Sequence, residues 1–124
     1  MALYEILQPD FEYSDQRGQL KQLVHDGWKQ VNVLITNAGV VRGVHYHKAS
    51  REAFYLISGS VNVRFRNGEE YAERHFEKGD FFSVFPGAVH EMSFPEECMM
   101  VQMYDNPVEK EDGSKDIYIG EVGF

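Results

Sequence analysis

GVVRGVHYHKASREAFYLISG, residues 39–59, is the stretch on which the reading of the whole chain turns. It carries His45 and His47 one residue apart, then Glu52, in a run of β-branched and aromatic residues bracketed by Gly39 and Gly59. Residues two apart on a strand project to the same face, so the two imidazoles share whatever space that face encloses. A turn at about 48–51 lets Glu52 open the next strand, where an antiparallel neighbour would bring its carboxylate beside the pair. Three chemistries fit these residues: a metal site, a metal-free acid/base pair, or strand histidines satisfied by ordinary hydrogen bonds.

Outward from this stretch the chain keeps the same character. Glycine, proline and asparagine punctuate it every 8–12 residues or so, the spacing of an all-β domain, and helical periodicity is hard to find. Candidate strands are 30–36, 41–47, 53–57, 60–66, 70–76, 81–85, 89–94 and 99–104, with possible additions near Leu20 and Ile117. Val61, Val63 and Phe65 alternate with Asn62, Arg64 and Arg66, and the Asn67-Gly68 pair that follows predicts a tight antiparallel hairpin. AFYLI and CMMVQMY are apolar on both faces, as expected where one face lines a core and the other packs on a second sheet or a partner subunit. Strand count, length and turn spacing together predict one domain over residues 1–124, a jelly-roll double-stranded β-helix, with 105–116 an acidic surface loop.

A second polar position lies in GDFFSVFPGAVHEMSF, residues 79–94. Pro86-Gly87 makes a turn, after which His90, Met92 and Phe94 share one face against Glu91 and Ser93; the side with His90 is apolar, hence inward. Three neutral imidazoles and a carboxylate suit one divalent transition metal, Zn, Mn, Fe, Ni or Co, with positions left open for substrate or water. Calcium and magnesium prefer oxygen shells and would not suit.

The spacing in residues 39–59 resembles the first motif of the cupin superfamily: Gly, five residues, His-x-His, four residues, Glu, six residues, Gly. From this composition the five fixed residues coincide by chance at roughly one starting point in a million. Residues 79–90 resemble the second cupin motif, with the Gly-Asp start, the Pro-Gly turn and Gly-x-x-His; here the proline directly precedes the glycine, and Phe94 stands where an asparagine is expected. The resemblance implies a cupin fold and the metal ligands His45, His47, Glu52 and His90. RGVHYHK, residues 42–48, and the Asp-x-Arg-Gly of residues 15–18 are similar to segments of cupin epimerases and ketoisomerases acting on nucleotide-linked deoxysugars, and of the cupin half of capsular-polysaccharide assembly enzymes. HEMSFPEECMMVQMYD followed by KDIY is similar to the carboxy-terminal run of the same group. Taken by itself, Asp15 to Gly18 also reads as an Asx-type turn.

What the resemblance implies for chemistry is proton abstraction next to a ketone and reprotonation, with an activated sugar as the small-molecule substrate. In metal-free members of the group the histidine matching His45 is the base, and the position matching His47 is often not histidine, so this chain leans toward the metal version. Tyr104 is the candidate acid. Arg42 is the candidate for the diphosphate, through its fork-shaped guanidinium. Strict alternation turns Arg42 away from His45, so that role requires a twist or bulge near Gly43. Lys48 is a second candidate for an anion. Two other functions stay open on the same residues: an Fe(II)-dependent dioxygenase, and a non-catalytic sugar or small-molecule binder.

Composition narrows the partners. Twenty acidic against twelve basic side chains leave a net charge of −8, whose field repels nucleic acid and anionic membranes. No apolar run reaches the roughly 18 residues needed to cross a bilayer, and the acidic amino terminus differs from a signal peptide, so a cytoplasmic protein is expected. The single cysteine, Cys98, is expected to be a small buried apolar residue. The doubly apolar strands lead to the expectation of a homodimer.

Overall fold

The computed structural model describes residues 2–120 of the chain. Twelve strands run in order: β1 (Tyr4–Ile6), β2 (Phe11–Asp15), β3 (Gly18–Gln22), β4 (Gln30–Thr36), β5 (Val41–Tyr46), β6 (Glu52–Ser58), β7 (Ser60–Asn67), β8 (Glu70–Glu77), β9 (Phe81–Val84), β10 (Val89–Ser93), β11 (Cys98–Tyr104) and β12 (Tyr118–Ile119). Among the described residues all strand pairs are antiparallel. They form one sheet in the order β1-β9-β6-β11-β4, a second in the order β12-β5-β10-β7-β8, and a separate β2-β3 hairpin. Among the described residues no helix is long and apolar enough to cross a membrane.

The two five-stranded sheets close on a shared core. Phe54, Leu56, Phe82, Val84, Cys98 and Met100 come from the first sheet, and Val61, Val63, Phe65, Phe76 and Met92 from the second. Phe76 and Phe82 stack across the gap with centroids 3.8 Å apart. Each such ring removed from water contributes about 1.5–3 kcal/mol, which fixes which face of each strand points inward. Cys98 is fully buried among these residues, in the small apolar role expected of it.

The hairpin read from alternation is present, with a shift of one residue at its tip. Asn67 pairs with Glu70, so the two-residue loop is Gly68-Glu69 rather than Asn67-Gly68. Gly68 takes φ +63° while among the described residues no non-glycine residue has positive φ, the pattern of a type II′ turn with glycine first. The Asp15–Gly18 segment is likewise a turn: Asp15 pairs with Gly18 at the end of the β2-β3 hairpin, and the Asp15 carboxylate accepts the Arg17 backbone N–H at 2.9 Å.

Three strands, β1, β2 and β3, precede the stretch where the alternation is clean. Their segment covers the outer face of the first sheet: Leu7, Leu23, Val24 and Trp28 pack against Ala53, Phe81 and Met103. Part of the second apolar face of β6 and β11 is therefore covered by this chain's own amino-terminal segment. The row Val31, Val33 and Ile35 on edge strand β4 stays 62, 64 and 54% exposed.

Candidate functional site

His45 lies on β5 and His47 one residue beyond its end, both turned into the sandwich by the alternation of that strand. His90 is the direct cross-strand partner of His45 on β10. Glu52 arrives differently from the expected antiparallel neighbour. β5 and β6 belong to different sheets, so the carboxylate reaches the histidines across the sandwich, from the facing layer. The chain turns a corner at 47–51, and the first residue of β6 already points inward.

Ligand-capable atoms of His45, His47, Glu52 and His90 all lie within 4.8 Å of one another. Glu52 Oε1 is 3.2 Å from Nε2 of both His47 and His90. His47, Glu52 and His90 are 3, 1 and 1% exposed, whereas His45 is half-buried and lines a cavity of about 360 Å³. Leu34, Phe54, Met92 and Ile117 give that cavity apolar walls; Arg42, Gln102 and Tyr104 add polar groups. Another concavity, about 230 Å³ and lined by Ile6, Pro9, Lys21, Arg74 and Phe81 among others, has no histidine in its lining.

Hydrogen bonds decide how the imidazoles present themselves. His47 Nδ1 is 2.5 Å from the Asp116 carbonyl oxygen, and His90 Nδ1 is 3.1 Å from that of Ala88. A carbonyl only accepts, so both Nδ1 atoms carry hydrogen, and in the neutral rings both Nε2 lone pairs face Glu52 Oε1. Acceptors aimed at an acceptor require a cation between them, either a proton or a metal ion. His90 Nε2 is buried and, although near Glu52, has no aligned hydrogen-bond partner. The donor set and this orphaned nitrogen fit a divalent transition metal held by His45, His47, Glu52 and His90.

The electrostatics follow the same convergence. Burial alone would raise the Glu52 carboxyl, but the hydrogen bond that a protonated His47 gives through Nε2, together with the neighbouring His90, outweighs it and holds it well below the usual carboxylate range. For His47, burial works against the charged ring, yet the Glu52 carboxylate and the Asp116 carbonyl raise its pKa. His45 is lowered to about 4 by burial and by His90, with Glu52 opposing.

The other oxygen of Glu52 is fully engaged. Oε2 accepts from Gln102 Nε2 at 2.7 Å and from the Tyr104 hydroxyl at 2.9 Å, while Asn32 Nδ2 donates to Gln102 Oε1 at 3.0 Å and so orients the amide. Burial, then the Glu52 charge, push the Tyr104 phenol up. Asn32, Gln102 and Asp116 are site residues that pattern reading of the chain passes over. A lone glutamine in the apolar run CMMVQMY was the available signal for Gln102, and the KDIY segment that for Asp116.

Arg42 lines the cavity because β5 carries a bulge near Gly43. His90 pairs with His45 but Glu91 pairs with Gly43, which leaves Val44 as an extra residue on β5. A Cβ on Gly43 would lie 2.6 Å from the His90 carbonyl oxygen, and its φ is +94°, so glycine permits the close approach. Arg42 Nε donates to Thr36 Oγ1 at 2.8 Å. Lys48 is not brought to the cavity: its ammonium lies 4.2 Å over the Tyr118 ring.

Comparison with known proteins adds to this geometry. The sequence profile of the polysaccharide biosynthesis C-terminal domain matches residues 13–114. The chain belongs to that family. A curated relative, the UDP-2-acetamido-2,6-beta-L-arabino-hexul-4-ose reductase of Pseudomonas aeruginosa, is 29% identical over 117 residues, which cover 90% of this chain and 31% of the relative. This member of the family thus spans about a third of the curated relative it matches. Among solved structures, the sugar 3,4-ketoisomerase QdtA of Thermoanaerobacterium thermosaccharolyticum, in complex with TDP, superposes with a TM-score of 0.76 at 18% identity, covering 94% of this chain and 88% of that one. The TDP-fucose-3,4-ketoisomerase WlaRA of Campylobacter jejuni gives 0.76 at 16%, covering 94 and 89%. The capsular polysaccharide assembling protein CapF of Staphylococcus aureus gives 0.67 at 23%, covering 90% of this chain and 32% of that one. The all-β cupin fold expected from the two motifs is the fold of this family member.

Proposed function

We propose that this chain is an isomerase or epimerase of a nucleotide-linked keto sugar in polysaccharide biosynthesis, built around a divalent transition metal at His45, His47, Glu52 and His90. The observation that carries the reading is the convergence of three imidazoles and one carboxylate at the inner end of an open cavity flanked by Arg42. Bound there, the metal supplies a Lewis acid for a carbonyl oxygen. The family match, and the sugar-modifying activities named for the similar proteins, support a sugar as the substrate class.

The chain's own residues then divide the work. Arg42, braced through Nε on Thr36 Oγ1 and through Nη2 on the Ile35 carbonyl at 3.4 Å, offers its remaining N–H groups to an anionic group such as a diphosphate. Leu34, Phe54, Met92 and Ile117 keep water from the reacting carbon. Tyr104 and Gln102 hold Glu52 through Oε2, so that only Oε1 faces the histidines. This geometry supports a positioning role for Tyr104 over that of a proton donor.

A metal-free version has one specific observation in its favour. His45 is half-buried on the cavity and its lowered pKa keeps it neutral at physiological pH, as a base requires. In that version His45 takes the proton from the carbon beside the ketone and returns it after the enolate has formed. Incubation with a panel of nucleotide-linked 4-keto sugars in deuterated water distinguishes the two. Label is expected at the carbon next to the ketone, with exchange abolished by a chelator in the metal version and retained in the metal-free one. No exchange with any member of the panel would overturn the isomerase reading. We also propose a homodimer, supported by the exposed aliphatic row on β4.

A further inference from the structure

The loop from 105 to 116 carries exposed charge at Glu109, Lys110, Glu111, Asp112 and Lys115, yet it ends on a carboxylate that is 1% exposed. Asp116 Oδ1 accepts the backbone N–H of Lys48 at 2.9 Å, and Oδ2 accepts those of Ala49 and Ser50 at 3.0 and 2.9 Å. Three successive N–H groups of the corner between His47 and Glu52 are thus gathered on one side chain from almost seventy residues away. The backbone carbonyl of the same residue accepts the Nδ1 hydrogen of His47 at 2.5 Å.

We infer that Asp116 is the positioning residue of the candidate metal centre: its carboxylate fastens the 48–50 corner, and its carbonyl fixes the His47 tautomer. The inference rests on the metal reading above. The two contacts act on one object. His47 ends the strand that leads into the corner, so a corner free to shift would turn the ring and move Nε2 away from Glu52. A carbonyl next to the clamped carboxylate cannot drift from Nδ1, and a ligand imidazole with a fixed Nδ1–H keeps its Nε2 lone pair on the ion. A purely structural clamp needs only the carboxylate; the carbonyl on a ligand ring ties it to the site.

Cobalt(II) affinity of the full chain, measured by competition with a chelator, tests this together with the visible absorption of the cobalt-loaded protein. Asp116→Ala is expected to lose cobalt affinity about 10–100-fold, the cost typical of removing a partner that orients a ligand, and to shift the absorption bands at saturating cobalt. Asp116→Asn, which keeps acceptor oxygen but no charge, is expected to lose less; it carries the test if the alanine variant does not fold. Val61→Ala, a core truncation away from the site, is the control that lowers stability without moving the bands. Cobalt bound by Asp116→Ala within roughly twofold of wild type and with unchanged bands would overturn the inference alone. Wild-type protein that takes up no cobalt, or a His90→Ala variant that binds it as tightly, would sink the metal reading and this inference with it.

Discussion

His45, Tyr104 and Gln102 show how single side chains are set by their neighbours. His45 faces His47, His90 and Glu52; burial and His90 lower its pKa from an ordinary 6.5 to about 4. Between those values the unfolded chain binds a proton that the folded chain refuses. The His45 contribution to stability is therefore complete above pH 6.5 and is lost as the pH falls toward 4. Chelator-treated protein should melt at a lower temperature at pH 4.5 than at pH 6.5, and His45→Gln should lessen that drop; an unaltered drop would contradict the assignment. Tyr104 donates its hydrogen to Glu52, which Gln102 also holds. Tyr104→Phe should accordingly slow isotope exchange by less than about tenfold, against the about 10²–10⁴-fold expected if the phenol were the acid, as measured by the deuterium assay. Phe94, where the second cupin motif has asparagine, is 2% exposed among the core rings and plays no polar part.

At the scale of elements, the site depends on how β5 and β10 meet. The bulge at Val44 lets residues three apart, Arg42 and His45, line one cavity, and Gly43 makes the approach possible. Gly43→Ala sets a methyl against the His90 carbonyl at positive φ, and should cost about 1–3 kcal/mol in chemical denaturation and weaken metal retention. Gly113→Ala is also at positive φ but in open space, and should leave metal retention unchanged. Equal metal retention in both variants would contradict the role given to the bulge. Much at this scale was legible in the sequence: the β7-β8 alternation, the inward set His90, Met92 and Phe94, and the glycines bounding residues 39–59. What was not legible follows from topology. Spacing places Glu52 after a turn, but it does not say whether the chain then pairs in the same sheet or crosses to the facing one, since both present the carboxylate to the histidines.

For the whole molecule, the outer face of the first sheet is covered unevenly. The amino-terminal segment packs Leu7, Leu23, Val24 and Trp28 over Ala53, Phe81 and Met103, a cover that alternation in β6 and β11 could announce but not identify. Val31, Val33 and Ile35 remain exposed on an edge strand, where an apolar row invites pairing. Light scattering at micromolar concentration should give the mass of a dimer, and Val33→Asp that of a monomer; a monomeric wild type would reject the proposed assembly. Asp116 lay in a segment whose composition reads as solvated loop, because burial of a carboxylate depends on three backbone N–H groups that sequence alone does not bring near it. We propose above all that His45, His47, Glu52 and His90 together hold a metal. Elemental analysis of purified wild-type chain beside His47→Ala tests it most directly: about one equivalent of a divalent transition metal is predicted in wild type and far less in the variant, and equal content in the two, or none in a wild type supplied with metal, would contradict it.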